Sequence, residues 1–435
     1  MSQESYPDRP SSNHDLGSQG WVHSGPVTTS SIDGEPWTNW VGNESFSPKE
    51  IVEVDSEAEI RRVVASAASG GYTVRTVGTG HSFTPIVETD VLLDTSPLRG
   101  IIHVDPSNLI VKAGPKTSIG DFGDPLWEHG LALANQGDID TQAIAGAIAT
   151  ATHGSGLKQP NFSAALEGAR IVDGVGNLVE VTRDGDPDVL HALQTSIGLL
   201  GIMTEVTLKV VPAYDLHARV DIMKYDEVMD RFESDMEEYR HFGLFWMPTD
   251  ASAALYNLHD AGADDCVLKR YREVEAGTPS EGLPENERID RSYRIYPMVY
   301  DPNFHEVEYF LPIEQAREIM NRMRALMLEW LPLSLYPLEI RVVAADDAWL
   351  SPNYRRANLV VSISGEPGTD YWPYLRACDN LFAEFGGRPH WGKIHFMTPE
   401  RIATLFPRYQ DFLEMRRRFD PNGTFLNPHL RALFE

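Results

Sequence analysis

The sequence predicts an α+β fold of two domains, and three observations predict it. The 435 residues exceed what one core comfortably holds. The first half opens β-α-β, with short β-branched runs broken by glycine. After Tyr214 the texture changes, as aromatic and charged residues replace Gly and Ala. Strands there are followed by helices that would cover them, which predicts an antiparallel sheet with helices on one face. The expected organisation is an extension over 1–36, a first domain over 37–212, a second over 213–388, and a closing segment over 389–435 that returns to the first.

Composition narrows the function classes. Apolar residues make up 42% and charged residues 23%, with a net charge of −27. So acidic a surface repels nucleic acid and anionic membranes, and neither is expected as a partner. No run of 18 apolar residues occurs, and the start has neither a basic nor an apolar leader region. Two distant cysteines, Cys266 and Cys378, make neither a disulfide framework nor a metal set. The expectation is a cytoplasmic protein without a metal.

Taken in order, residues 1–36 are rich in Ser, Gly, Pro, Asp and Asn, and read as a disordered extension. Trp37, Trp40 and Phe46 mark the start of packing. Ile51–Val54 reads as a strand, and Ser56 with Glu59 has capping-box spacing for a helix ending at Gly70-Gly71. Val74–Val77, Val91–Leu93 and Leu109–Ala113 read as strands and Ile119–Leu131 as a helix. Further strands are expected at Ala169–Val172, Leu178–Val181 and Thr204–Val211, and Pro212 closes the domain. In the second half Val228–Tyr239 reads as a helix. Gly243–Met247, Ala254–Leu258 and Val307–Leu311 read as strands, and residues 271–294 as a long surface loop. Ile313, Ala316, Met320, Met323 and Met327 recur at helical spacing, a stripe that belongs to a core. Leu338–Ala344 and Asn358–Ile363 read as strands, Trp372–Phe385 as a helix. Thr398 caps a helix with Pro399 in its first turn, and Tyr409–Phe419 is another.

Three stretches carry chemistry. Val74–Val77 runs into Gly78-Thr79-Gly80, then His81 and Ser82. A strand ending in such a loop presents a concave row of N–H groups that suits the diphosphate of a flavin dinucleotide, with His81 beside it. The alternative is a tight turn with an ordinary histidine. Residues 144–156 contain little larger than Thr, and their backbone would lie flat against a planar ligand or pack as a close helix. Gly198 and Gly201 again permit close approach. In the second half Glu339 and Arg341 alternate on one face of a strand whose other face is apolar, as a polar lining or a structural ion pair. Ser362 and Ser364 share that spacing and would bond a polyol or face solvent. Lys393 follows His-Trp-Gly, in a cleft or on the surface. No zinc spacing, Walker loop or nucleophile elbow occurs, and the third glycine of a nicotinamide fingerprint is missing.

Several motifs then fit one family. They are Val-Gly-Thr-Gly-His-Ser-Phe, Ala-Thr-His-Gly-Ser-Gly, Ile-Gly-Leu-Leu-Gly-Ile, Glu-Ile-Arg, Ala-Ala-Asp-Asp-Ala-Trp-Leu-Ser-Pro, Arg-Pro-His-Trp-Gly-Lys and Asp-Pro-Asn-Gly-Thr-Phe-Leu-Asn-Pro, in that order. The set resembles the vanillyl-alcohol-oxidase superfamily of flavoenzymes, and within it the alditol oxidases and sugar-1,4-lactone oxidases, over about residues 37–433. The resemblance implies an FAD-binding domain and a substrate (cap) domain. It implies that His81 carries FAD covalently through the 8α-methyl group. Thr76, Val77, Gly78, Thr79, Gly80 and Ser82 would hold the diphosphate. Asp138, Gly146, Thr150, Thr152 and His153 would line the flavin, Ile202 the adenine side, and His390 the flavin from the last segment. Substrate would meet Asp138, Glu339, Arg341, Ser362, Ser364 and Lys393, with Arg341, Lys393 and Glu339 catalytic. Alditol oxidases have Ser in place of Asp138 and His in place of Ser362, while Ser364 replaces Thr. The implied reaction is hydride transfer from a hydroxyl-bearing carbon of a polyol to flavin, with dioxygen as acceptor and hydrogen peroxide as product. A sugar-1,4-lactone is the alternative substrate. Gly137 would leave dioxygen a path to the flavin.

Overall fold

The computed structural model describes residues 36–258 and 260–435, and the fold is α+β. The disordered extension expected over 1–36 lies outside the described residues apart from Pro36. A three-stranded parallel sheet has the order Glu50–Glu53, Val91–Asp94, Val74–Val77. Helix Glu57–Gly70 makes the crossover and buries Ile60, Val63, Val64 and Ala67 against this sheet. It stops at Gly71, whose φ of 70° is the left-handed conformation that glycine adopts without strain. Ser56 stands at the N-cap but makes no side-chain bond, and Glu59 accepts from Asp55 N–H rather than from Ser56 N–H, so the expected capping box does not form.

A five-stranded antiparallel sheet follows, in the order Leu178–Thr182, Leu166–Val172, Ile202–Lys209, Ile110–Ala113, Ile101–Asp105. The single helix expected over Ile119–Leu131 is instead a 3-10 turn, Ile119–Phe122, then a short helix, Gly123–Glu128, and a strand, Leu131–Ala132. Ser118 and Asp121 close a capping box around the first turn.

The second half is one eight-stranded antiparallel sheet. Its order is Glu287–Arg291, Tyr214–Lys224, Asp265–Glu275, His241–Trp246, Leu338–Val343, Asn358–Gly365, His305–Pro312, Arg388–Pro389. Helices Tyr225–Glu238, Ala316–Glu329 and Trp372–Glu384 contribute to the same core as the sheet's apolar residues. The methionine stripe is part of that core, with Met320, Met323 and Met327 at most 1% exposed. Two expectations fail here. The strand expected over Ala254–Leu258 is instead the end of a 3-10 turn, Ala253–Tyr256, followed by the left-handed Asn257. The expected loop over 271–294 contains the end of an 11-residue strand, the strand Glu287–Arg291 and the short helix Ser292–Ile295. The charges that disguised this strand pair with residues distant in sequence: Arg270 meets Asp221 and Asp235, and Arg272 meets Glu238.

The closing segment returns to the start of the chain. Val74 N–H donates to Thr424 C=O at 2.8 Å, and Asn427 Nδ2 donates to Pro85 and Glu88 carbonyls at 2.7 and 2.9 Å. No helix among the described residues is long and apolar enough to cross a membrane.

Candidate active site

A single cleft joins both halves of the chain. It encloses about 1650 Å³ including its open mouth. All of Thr76, Val77, Gly78, Thr79, Gly80, His81 and Ser82 line it, with Asp138, Gly146, Thr150, Thr152, His153, Ile202, Glu339, Arg341, His390 and Lys393.

The glycine loop is built to take an anion. Among the described residues, no acceptor takes the backbone N–H of Thr79, Gly80, His81 or Ser82. Four consecutive free donors make a nest for phosphate oxygens. Gly80 has φ +70°, and a Cβ there would lie 3.3 Å from the Trp37 ring. Lys116 adds a cation, donating to the Val77 and Gly78 carbonyls at 3.2 and 2.9 Å. At Gly146, on helix Ile144–Ala149, a Cβ would meet nothing within 4 Å, so this cleft-lining helix leaves open space for a flat ligand.

Behind the loop stands Arg75, 6% exposed. It donates to the carbonyls of Ile86 at 2.9 Å, Ile197 at 2.6 Å, Gly198 at 3.1 Å and Phe425 at 3.2 Å. One side chain therefore gathers three distant segments at one end of the cleft. Burial pulls its guanidinium down to about 10. Beside the loop, Thr79 Oγ1 lies 2.9 Å from His81 Nδ1, and the ring packs on Trp40 at 5.1 Å. Burial, then the nearby Lys393, pushes the imidazole down to about 4, so it is neutral at pH 7.

The other end of the cleft is a row of charges across neighbouring strands. Glu339 pairs with Ser362 in register, and Ser362 with Glu308 on its other side; Ser364 pairs with Glu306. Arg341 is gripped from two sides: Nη1 donates to Asp138 Oδ2 at 2.7 Å, and Nη2 to Glu308 Oε2. Its Nε lies 3.4 Å from Glu339 Oε1 and makes no hydrogen bond among the described residues. Lys393 is paired with Glu306. Glu308 also binds His153 Nε2 at 3.1 Å. Burial pushes the Glu308 carboxyl up, but Arg341 and His153 outweigh it and hold it well below the usual range. Glu339 goes the other way. Burial raises it, Asp138 and Glu306 add to that, and Arg341 and Lys269 oppose, leaving it at about 7. Burial leaves His390 at about 3, and its Nδ1 accepts from Gly392 N–H at 3.0 Å.

Two expected substrate contacts do not reach the cleft. Ser362 and Ser364 are buried behind its wall. Ser362 donates to Glu308, and Ser364 Oγ lies 2.7 Å from Tyr256 Oη. They share the polar face as their spacing implied, but the longer glutamates beside them take the surface. Gly137 is also away from the cleft; a Cβ there would pack 3.5 Å from Phe162. His153, Glu308 and His390 offer ligand atoms within 4.8 Å of one another. Both Glu308 oxygens are already engaged by His153, Arg341 and Ser362. A metal there would have to displace that network.

Sequence reasoning missed Arg75, Lys116, Lys269, Glu306, Glu308 and the aromatic wall of Tyr256, Tyr300 and Phe304. Glu306 and Glu308 carry the same alternation that singled out Glu339 and Arg341, so that signal was present. Lys269 and Arg270 are adjacent charges with no such pattern.

Comparison with known proteins agrees with this geometry. A family model described as an FAD-binding domain matches residues 48–182, and one described as D-arabinono-1,4-lactone oxidase matches 206–275 and 264–433. The chain is 32% identical to L-gulono-1,4-lactone dehydrogenase of Mycobacterium tuberculosis over 426 residues, 91% of this chain and 98% of that one. It is 26% identical to L-gulonolactone oxidase of Mus musculus, over 92% of this chain and 98% of that one. It is 27% identical to alditol oxidase of a Streptomyces species, over 92% and 99%. Cholesterol oxidase from Brevibacterium sterolicum has the same fold, with a TM-score of 0.80 at 16% identity, over 94% of this chain and 98% of that one. The free N–H row and the open helix face suit an FAD, and the chain belongs to the sugar-lactone and alditol oxidase family of FAD-dependent oxidoreductases, within the vanillyl-alcohol-oxidase superfamily.

Proposed function

We propose that this protein oxidises a hydroxyl-bearing ring carbon of a neutral sugar-1,4-lactone. The observation that carries this reading is the loss of free hydroxyl readers at the substrate end. Asp138 spends both oxygens on Lys269 and Arg341, at 2.7 Å each, and Ser362 and Ser364 are turned to the wall. Beside Glu339, Arg341 and Lys393, and the glutamates Glu306 and Glu308 already held by Lys393 and Arg341, stands the aromatic wall of Tyr256, Tyr300 and Phe304. Flat apolar faces suit a ring better than an extended chain of hydroxyls. A polyol is the second reading, because Glu339, Arg341 and Lys393 match both branches.

Bound FAD supplies the hydride acceptor. Glu339, at about 7, is poised to take the hydroxyl proton near neutral pH. Arg341 and Lys393 place positive charge where the oxygen becomes anionic. Aspartate and glutamate partners fix both cations before substrate arrives.

Anaerobic mixing tests the reading. L-gulono-1,4-lactone and D-arabinono-1,4-lactone should bleach the flavin faster than xylitol or sorbitol; the reverse order assigns the polyol. Reoxidation by dioxygen with peroxide release, against reoxidation only by a dye, separates oxidase from dehydrogenase.

We also place the covalent link at His81. A neutral imidazole with Nδ1 engaged by Thr79 leaves Nε2 without a partner among the described residues. The unaltered protein should keep its yellow colour on a denaturing gel, and His81→Ala should release FAD on denaturation. Colour retained in the variant sinks the assignment.

A further inference from the structure

We propose that Lys269 is a positioning residue whose ammonium, held against Asp138, keeps Glu339 in its proton-accepting form. The proposal rests on reading Glu339 as the base. Lys269 does not line the substrate cleft. It lines a smaller cavity behind it, about 250 Å³, shared with His241, Tyr271, Tyr296, Glu339 and Arg341. Its ammonium donates to Asp138 Oδ1 at 2.7 Å and Met298 Sδ at 3.1 Å, and lies 5.4 and 5.7 Å from the Tyr296 and Phe245 ring centroids.

Strand register makes the arrangement. Gly243 pairs with Lys269 on one side and with Arg341 on the other. With no side chain at Gly243, nothing of that residue separates the two cations; a Cβ there would sit 3.1 Å from Ile340 C=O and 3.5 Å from Arg341 Cγ. Asp138 then takes one cation on each carboxylate oxygen. Glu339 faces charge from every element packed on it: Arg341 from its own strand, Asp138 from the 134–140 loop, Lys269 from two strands away and Glu306 from beyond the Ser362 strand. Tyr256, Tyr271, Tyr296 and Tyr300 are driven up by burial and uncharged, and burial pulls His241 down to about 3, so it too is neutral. Two cations favour the carboxylate and two anions oppose it. Removing Lys269 tips this balance without touching a substrate contact.

The test is a pair of opposite charge deletions in the FAD-loaded enzyme. Lys269→Met should move the acid limb of anaerobic flavin reduction up by about one pH unit, and Asp138→Asn should move it down by a similar amount. Lys269→Arg should restore the parent limb. Infrared difference titration, with Glu339→Gln assigning the carboxyl band, should show the same opposed shifts without turnover. Limbs and bands that stay put, or that move the same way in both variants, overturn the proposal. If Lys269→Met yields no folded protein, Lys269→Gln removes the same charge with a polar side chain, and an unmoved or lowered limb there is equally fatal. If no lactone or polyol reduces the flavin, the proposed function has failed, and the infrared shifts still decide the role of Lys269.

Discussion

Arg341→Met is expected to slow flavin reduction by substrate about 10²–10³-fold, the usual cost of removing one donor from an oxyanion site. The loss should fall on the rate at saturation rather than on KM, because the charge is needed where negative charge develops. The same change strands two buried carboxylates, Asp138 and Glu308, each of which loses its guanidinium partner. Breaking a buried pair from one side typically costs ~3–5 kcal/mol, so the urea midpoint should drop as well. Arg341→Lys should rescue little. An ammonium is a point charge, and it cannot fork between an aspartate on one side and a glutamate on the other. Stopped-flow reduction and urea unfolding of both variants check this. A near-normal rate in Arg341→Met removes the arginine from the chemistry.

Arg75→Met should have its largest effect on cofactor retention. Four carbonyls from three segments lose their donor at once. Buried acceptors left unpaired cost ~1–3 kcal/mol apiece, although relaxation and water recover part of that. Ile197 is held at φ 53°, a conformation a β-branched residue adopts only under constraint, and its C=O is the closest partner of Arg75. The Ile197–Gly198 turn and the Phe425 tail should therefore loosen together, and this end of the cleft should open. The expected result is lower thermal stability and weaker flavin uptake in the variant, measured on apoprotein reloaded with FAD. Unchanged uptake would make Arg75 a fold residue only.

Legibility of the site followed its local grammar. The glycine loop was readable because free N–H groups and positive φ follow from glycine and chain direction alone. Glu339 and Arg341 were readable because a period of two places both on one face. The same rule put Ser362 and Ser364 on that face, and there it stopped. Spacing says which way a side chain points, but not which longer neighbour covers it. Glu306 and Glu308, directly opposite the serines in register, take the cleft surface. Lys269 was hidden for a different reason. Its strand carries adjacent charges that pair with residues more than 30 positions away, so it has no local signature of burial.

By itself, the sequence determined the fold class, the glycine loop with its histidine candidate, and the alternation of Glu339 and Arg341 on one strand face. These depend on backbone freedom and side-chain periodicity, which are properties of a few consecutive residues. Only the tertiary structure decided what each charge is for. Asp138, predicted to read substrate, is a counter-ion shared by Lys269 and Arg341. Glu339, sequence-adjacent to nothing unusual, is raised by burial among charges brought in from three other elements. Electrostatics in a buried cleft depends on distance and desolvation, and neither exists until the strands are in register.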